Sequence, residues 1–281
     1  MNLISPSDLK KAAAKIPSSP RIFSKLSTLM KDMNTTLDDI TDLVNNDSSL
    51  TVQVLRLSNS ALYAGGVPID TLDDAINRIG FSELFKLVGM AAAAQVFTDR
   101  NELYDVEGSQ LWENSLACAL AMEYFAKQTG GDPQEAYTIG LLRSMGKMIL
   151  NACLEGDPDP IQITSSVTIP LHAWEDANFG ITNSSVAGFV LVSWNFPDLI
   201  SRAIQYQYIP EEDPDDIKEP NLLHIASLVA ENIGKGLPCE LGYWEATNER
   251  LEKAGLNQSH IDAAAESINE SLDSLISSVA V

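Results

Sequence analysis

The order of apolar and polar positions predicts helices along most of the chain. Apolar residues recur every three or four positions, as at Ile22, Leu26 and Leu29, which places them on one face of an α-helix. Alternation with a period of two, which would indicate a strand, is scarce. Only Ile161–Leu171 has some strand character, and the prolines that flank it favour a loop. We therefore predict an all-α fold.

Several predicted helices begin with the same capping sequence. Ser5-Pro6-Ser7-Asp8 combines a serine cap, a proline at the first helical position and an acid three residues after the cap. Similar signals occur at Ser19-Pro20, Thr36–Asp39, Thr71–Asp74 and Asp132–Glu135. Three glycines, Gly80, Gly156 and Gly234, stand where helices are expected to end.

Two polar segments suggest how the helices are divided. Thr98–Gly108 is the first candidate linker, which predicts a helical lobe at residues 1–108 and a second lobe, with a C-terminal helical extension, at residues 109–281. The acidic, proline-bearing segment Pro210–Pro220 is typical of a solvated loop. The sequence therefore favours a two-lobed helical bundle.

The charge balance narrows the classes of partner. The chain has 281 residues, of which 45% are apolar, and its 18 basic and 39 acidic residues give a formal charge of −21. Such an acidic surface repels phosphate backbones and anionic lipids, so nucleic acid and membrane surfaces are not expected partners. A solvated acidic exterior is sufficient to explain this charge.

The sequence also favours a cytoplasmic location. The N-terminal stretch MNLISPSDLKK lacks the apolar core of a signal peptide, and the longest apolar run, near Met90–Phe97, is far shorter than the ~20 residues that span a bilayer. Cys118, Cys153 and Cys239 are too scattered for a disulfide framework or a Cys-x-x-Cys metal motif.

One predicted helix combines an apolar surface with a narrow polar stripe. Tyr137–Leu150, YTIGLLRSMGKMIL, is expected to form a single helix that is buried on most sides. Its polar stripe, continued by one more residue, consists of Gly140, Arg143, Ser144, Lys147 and Asn151. This stripe is expected to face either solvent or a cleft.

The same helix resembles the GLLHDIGK-type helix of HD-domain phosphohydrolases, with Arg143-Ser144 in place of His-Asp. Other stretches resemble the HDOD family, the non-catalytic relatives of HD and HD-GYP proteins. These stretches are Ile16–Pro20, Asp47–Thr51, Val54–Ala61, Ile69–Gly80, Trp112–Ser115, Trp174–Gly180 and Trp194–Pro197. Ser48 departs from the family pattern, which usually has proline there. By the order and spacing of these stretches, the chain is identified as a member of the HDOD family.

This resemblance implies an HD-like C-terminal lobe with a vestigial metal site. HD phosphohydrolases bind divalent metals through imidazoles and carboxylates, which activate a water molecule. The corresponding positions here are Asn114, Arg143, Ser144, Asn183, Gln207, Tyr208 and Ser227. An arginine offers no lone pair and repels a dication. The resemblance therefore implies no catalytic residue, metal or cofactor.

The family resemblance also sets the functional expectations. It implies a non-catalytic regulatory module of bacterial signal transduction, which acts by binding a signalling protein or a small anionic ligand. The alternative is a metal-dependent phosphohydrolase of the HD superfamily with a displaced site. The sequence does not define the oligomeric state.

Arg143 and Lys147 lie four residues apart and should repel each other unless a negative group lies near them. The candidates are an internal carboxylate, Glu175 or Asp176, and an external phosphate-like anion. The net charge of −21 favours an internal partner. Glu175 is also expected to tie two helices together.

The family dipeptide Asn59-Ser60 has two interpretations. Its side chains end a helix by bonding to the backbone, or they contribute to a pocket or partner contact between lobes. The three histidines, His172, His224 and His260, have no short ligand spacing, so we expect capping, surface or satisfied core roles.

Overall fold

The computed structural model of the chain describes residues 3–60, 62–63, 67–155, 161–163 and 168–279. Helices joined by loops make up this part of the chain, and its only β pairing is an isolated antiparallel bridge between Asn101 and Val106. The predicted all-α fold is confirmed.

The α-helices are numbered in chain order. Their bounds are α1 Pro6–Lys15, α2 Ser19–Leu29, α3 Leu37–Asn45, α4 Ser48–Ser58, α5 Leu72–Val96, α6 Gly108–Thr129, α7 Pro133–Leu142, α8 Met145–Cys153, α9 Leu171–Phe179, α10 Asn183–Ser193, α11 Asp198–Gln205, α12 Glu219–Asn232, α13 Asn248–Ala254 and α14 Gln258–Val279. Two short 3-10 helices, Pro210–Glu212 and Pro238–Glu240, precede and follow α12 within the described residues.

Four of the five predicted caps are present; at Ser19-Pro20 the N-cap is Ser18, which makes no side-chain cap bond, and Ser19 Oγ donates to the Ala92 carbonyl instead. Ser5 and Thr36 each form a reciprocal capping box with the acid three residues later, and Thr71 and Asp74 bond to each other at the start of α5. Asp132 Oδ1 accepts hydrogen bonds from two amides in the first turn of α7, at 2.8 and 3.2 Å. These side chains satisfy amides that have no partner inside a helix.

Two of the predicted stop glycines have left-handed backbone. Gly80, at φ 83°, interrupts α5 and separates it into two helical segments, and Gly234, at φ 76°, follows α12. Glycine adopts such φ values without the steric cost that a side chain would add. Gly156 lies outside the described residues.

The chain divides into two compact units, and each unit combines separate stretches of sequence. The larger unit contains Met1–Ile16 and Phe97–Ile268, and the smaller contains Pro17–Val96 and Asn269–Val281. This division differs from the lobes predicted at residues 1–108 and 109–281. It differs because α1 packs on α8 and α10, which places the first helix in the larger unit.

The segment Thr98–Gly108 is a packed part of the larger unit and not a linker. Asn101 Nδ2 donates to the Lys147 carbonyl at 3.1 Å, and the Leu103 amide donates to Asn151 Oδ1 at 3.0 Å. The Asn101 side chain and the Leu103 backbone thus bond to α8, a role that composition alone does not separate from solvation. Tyr104, in the same segment, is also buried.

The acidic segment Pro210–Pro220 is anchored by its own acids, because Glu211, Asp215 and Asp216 form ion pairs with Arg250, Arg202 and Lys253 respectively. Asp213 is buried and accepts hydrogen bonds from Arg202 and from the Ile217 amide. Much of the remaining segment is exposed, so the predicted solvated loop describes only part of it.

The core of the larger unit forms around α6, which packs on α7 and α12, while α10 packs on α8 and α11. A Cβ on Gly140 would lie 2.5 Å from the Ala119 backbone, and one on Gly146 would lie 1.8 Å from the Asn183 carbonyl oxygen. Both helix crossings therefore require glycine. They hold α7 against α6 and bring α8 to the start of α10.

The smaller unit contains α5, which packs on α2, α3 and α4. By length and composition, α5 is the one helix among the described residues that could cross a membrane, although more than half of its most apolar stretch is buried. Buried core helices of soluble proteins have the same composition.

Candidate functional site

The polar stripe lies at a break between two helices. α7 ends at Leu142 and α8 begins at Met145, with Arg143 and Ser144 in the turn between them. The prediction of a single helix over Tyr137–Leu150 is therefore wrong. The break lies at Ser144, whose φ of −94° and ψ of 5° depart from α-helical values.

Arg143 and Lys147 are both bound by one buried carboxylate. Glu240, in the 3-10 helix Pro238–Glu240, accepts a hydrogen bond on Oε2 from Arg143 Nη2 at 2.8 Å and one on Oε1 from Lys147 Nζ at 2.6 Å. All three side chains are at most 1% exposed. The expected internal carboxylate exists, but the proposal that it is Glu175 or Asp176 is wrong.

The remaining guanidinium nitrogens of Arg143 also have partners. Nε donates to Gln207 Oε1 at 3.2 Å, and Nη1 donates to Asn114 Oδ1. The guanidinium carbon lies 5.0 Å from the centre of the Trp244 ring, within cation–π distance. Arg143 is thus fixed by the protein itself.

Lys147 is bound on the other side of Glu240. Its Nζ donates to Tyr208 Oη at 3.0 Å and lies 3.5 Å from Asn183 Oδ1. Tyr208 in turn donates to Glu240 Oε1, and it accepts a hydrogen bond from Asn183 Nδ2 at 3.1 Å. These bonds join residues from α8, α10, the segment after α11 and the second 3-10 helix.

Glu175 has a separate role beside this network. Its carboxylate accepts hydrogen bonds from the Asn183 amide at 2.8 Å and from Asn183 Nδ2, so it ties α9 to the start of α10, as the sequence suggested. Tyr104 Oη donates to Glu175 Oε1 at 2.5 Å. Sequence reasoning missed Tyr104 because the surrounding polar residues suggested a linker.

Five of the seven positions assigned from the family motif meet in one network. We call this network the Arg143–Glu240 cluster; it consists of Asn114, Arg143, Lys147, Asn183, Gln207, Tyr208 and Glu240. Ser144 is buried, and its Oγ has no hydrogen-bond partner within the described chain. Ser227 has no hydrogen bond to the cluster among the described residues and donates to the Leu223 carbonyl at 2.9 Å.

Burial and charge have opposite effects on the two carboxyl groups. Burial by itself raises the pKa of Glu240, but Arg143 and Lys147 outweigh it and lower this pKa to about 2. Burial raises the pKa of Glu175 to about 7, against the hydrogen bonds from Tyr104 and Asn183. At neutral pH the cluster therefore holds two cations and one anion, and Glu175 is only partly ionised.

The donor atoms of the cluster do not suit the metal site of an HD phosphohydrolase. Such a site needs imidazole or carboxylate lone pairs, whereas Arg143 and Lys147 present only donors. Glu240 already accepts bonds from both cations, which would repel a dication at this distance. Among the described residues, no group of three or more His, Cys, Asp or Glu side chains is arranged to hold a metal.

The histidines have the structural roles expected of them in two of three cases. His224 is buried, bonds through Nδ1 to the Gln207 carbonyl at 3.0 Å, and accepts on Nε2 from the Glu245 amide. Burial lowers the pKa of His224 to about 3, so this ring is neutral. His260 Nδ1 accepts from the Asn257 amide at the start of α14. His172 is half-buried.

The family dipeptide lies in the smaller unit and ends α4. Asn59 Nδ2 donates to the carbonyls of Leu55 and Ile69 at 2.9 and 2.7 Å, and Asn59 Oδ1 accepts from the Ile69 amide at 2.7 Å. The helix-ending interpretation of Asn59 is confirmed. The Ser60 Oγ is buried, with no partner among the described residues.

Solved structures share this architecture. A crystal structure named "Putative phosphohydrolase", from Shewanella amazonensis SB2B, has a TM-score of 0.68 and 22% identity, and the match covers 97% of this chain and 98% of that one. A "Putative signal transduction protein" from Marinobacter aquaeolei VT8 also has a TM-score of 0.68 and 22% identity, with 98% of this chain and 64% of that one covered. At these identities the similarity shows the fold alone.

The sequence comparisons identify the family. An uncharacterized protein of Treponema pallidum (strain Nichols) is 22% identical over 209 residues, which are 72% of this chain and 39% of that protein, so this chain spans well under half of the relative's length. The model of the HDOD domain matches residues 16–210, more than half of the chain. The chain therefore belongs to the HDOD family.

Proposed function

We propose that this chain is a non-catalytic regulatory module of bacterial signal transduction, located in the cytoplasm, that acts by binding a protein or a small ligand. The observation that carries this proposal is the pairing of Arg143 and Lys147 with Glu240, fully buried, at the place where the family resemblance puts a metal site. The two side-chain cations, Arg143 and Lys147, thus lie where the family's enzymes would hold a divalent metal ion.

The bonding within the cluster supports the proposal. A metal could use the Glu240 carboxylate only by displacing Arg143 and Lys147, and breaking a buried ion pair costs about 3–5 kcal/mol. Asn114 and Gln207 are likewise engaged with Arg143. The name "Putative signal transduction protein" of the similar Marinobacter protein agrees with a signalling role.

The alternative is a metal-dependent phosphohydrolase, which the name of the similar Shewanella protein suggests. One observation in this chain favours it, because a buried carboxyl with a pKa of about 7, Glu175, has the properties of a proton-transfer group. Glu175 is nevertheless surrounded by Asn183 and Tyr104, and its bonds are those of an inter-helix tie.

An activity assay separates the two proposals. The purified full chain is incubated with Mn²⁺, Mg²⁺, Zn²⁺ or Fe²⁺ and with phosphomonoesters, phosphodiesters and cyclic dinucleotides, and the Glu175→Gln variant serves as the matched control. We expect equal background rates for both proteins. Hydrolysis by the parent that Glu175→Gln abolishes would overturn the non-catalytic proposal in favour of the alternative.

A further inference from the structure

A cavity of about 500 Å³ lies beside the Arg143–Glu240 cluster in the larger unit. Three separate stretches of the chain enclose it, and the described residues that line it are 104–105, 163, 168–171 and 238–243. Tyr104, Leu171 and Glu240 are at most 4% exposed, so these three belong to its deepest part. Proteins bind small molecules in cavities of about 300–1,000 Å³. Because Glu240 also belongs to the cluster, a ligand in this cavity would lie against the former metal region.

The two carboxylates in the cavity wall are both paired with side-chain cations. Asp105 forms an ion pair with Arg100. Glu240 binds both Arg143 and Lys147. The wall contains no lysine, arginine or histidine among the described residues. A charged ligand would therefore lose its hydration in the cavity without gaining an opposite charge, a cost that an uncharged ligand does not have.

Apolar side chains form a large part of the described wall. They are Ile163, Ile169, Pro170, Leu171, Pro238 and Leu241. Two of them, Ile169 and Leu241, are 50% and 61% exposed, although both are large and apolar. Exposed apolar side chains that share one concave surface are typical of ligand-binding sites. A ligand that covers these two side chains removes their surface from water, which favours binding.

The other titratable side chains of the wall are uncharged at neutral pH. Burial raises the pKa of Cys239 to about 12, and the Glu240 carboxylate acts in the same direction, so the thiol stays protonated. A protonated thiol behaves as a small apolar group with a weak S–H donor. The hydroxyl groups of the two lining tyrosines, Tyr104 and Tyr243, donate to Glu175 and to the Tyr208 carbonyl. These side chains therefore add no charge to the cavity.

We propose that this cavity binds a small, uncharged and largely apolar molecule. The volume corresponds to one small ligand, and three stretches of chain enclose the space, whereas a peptide segment needs an open groove. The inference deepens the proposed regulatory function and rests on it, since it names the class of ligand that the module would bind. It also replaces the anionic ligand that the sequence suggested.

The test is a fluorescence titration of the full chain at neutral pH with two probes that differ by one group. N-phenylnaphthylamine is uncharged and apolar, and anilinonaphthalenesulfonate has the same rings with an added sulfonate. The parent is compared with Ile169→Ser/Leu241→Ser, which removes the exposed apolar side chains of the cavity. The control, Phe189→Ser/Val192→Ser, removes two exposed apolar side chains of α10 that are not among the lining residues. Circular dichroism checks that all three proteins are folded.

We expect the parent to bind the uncharged probe and to bind the sulfonate about tenfold more weakly or worse. The cavity variant should bind the uncharged probe about tenfold more weakly than the parent, because apolar contact is lost, and the control should match the parent within about twofold. No binding of the uncharged probe, equal binding by the two variants, or tighter binding of the sulfonate would overturn the proposal. Because no hydrolysis is measured, this result is independent of the assay for the proposed function.

Discussion

Replacing Glu240 by glutamine removes the charge that holds the two buried cations together while keeping the shape of the side chain. In the parent, the two carboxylate oxygens lie 2.8 Å from Arg143 Nη2 and 2.6 Å from Lys147 Nζ, and none of the three side chains is more than 1% exposed. Removing one partner from a buried ion pair costs about 3–5 kcal/mol because the other charge is left unpaired. We expect Glu240→Gln to lower the free energy of unfolding by at least that much.

Urea unfolding at neutral pH, followed by circular dichroism, measures this loss. The matched control is Glu113→Gln, which breaks the partly exposed ion pair with Lys235, where the distance is 2.7 Å and the side chains are 28% and 24% exposed. Exposed pairs contribute about 0–1 kcal/mol, so the control should remain close to the parent. A loss of similar size in both variants would refute the reasoning.

A second variant keeps this test informative if Glu240→Gln does not fold. Lys147→Met removes one of the two cations, so Lys147→Met/Glu240→Gln leaves a single unpaired charge. We expect the double variant to be more stable than Glu240→Gln, although it carries one more substitution. Additive losses for the two substitutions would show that the charges do not interact.

Three further variants test other parts of the structure. Glu175→Gln should change the pH dependence of stability, because burial raises the pKa of Glu175 in the folded chain from 4.5 to about 7. The stability of the parent relative to the variant is therefore fully present below pH 4.5. It falls by about 3 kcal/mol as the pH rises past 7. A difference that stays constant in urea unfolding between pH 5 and pH 8 would contradict this. Asn59→Ala should cost about 1–3 kcal/mol in the same assay, because it removes three hydrogen bonds to Leu55 and Ile69, whereas Ser60→Ala should cost far less. Gly146→Ala should lower the melting temperature strongly, since its Cβ would lie 1.8 Å from the Asn183 carbonyl oxygen. The control Gly131→Ala, whose Cβ would have its nearest neighbour at 3.5 Å, should leave the melting temperature unchanged. Equal melting temperatures for the two variants would refute the packing at α8.

Local signals in the sequence were sufficient to predict the helices but not to predict the breaks between them. The capping boxes at Ser5 and Thr36 depend on residues three positions apart, so their geometry can be predicted from the sequence. The break at Arg143 lies between two close approaches, of Gly140 to Ala119 and of Gly146 to Asn183. Those contacts join distant parts of the chain, and the apolar pattern continues across the break.

The candidate site shows the same limit. The need for a carboxylate near Arg143 and Lys147 followed from their charges and spacing. Its identity did not, because Glu240 follows Lys147 by more than 90 residues and lies in a 3-10 helix that has no periodic pattern. Asn114, Asn183 and Gln207 were located through the family motif, which carries long-range information that composition lacks.

The measurement that tests the central claim most directly is the metal content of the purified full chain. The protein is dialysed against Mn²⁺, Zn²⁺, Fe²⁺ or Mg²⁺, passed through a desalting column, and analysed by inductively coupled plasma mass spectrometry beside the Glu240→Gln variant. Because Arg143 and Lys147 occupy the only carboxylate of the cluster, we predict well under one metal per chain for the parent. One or more tightly held metals per chain, lost in Glu240→Gln, would contradict the claim that side-chain cations replace the metal.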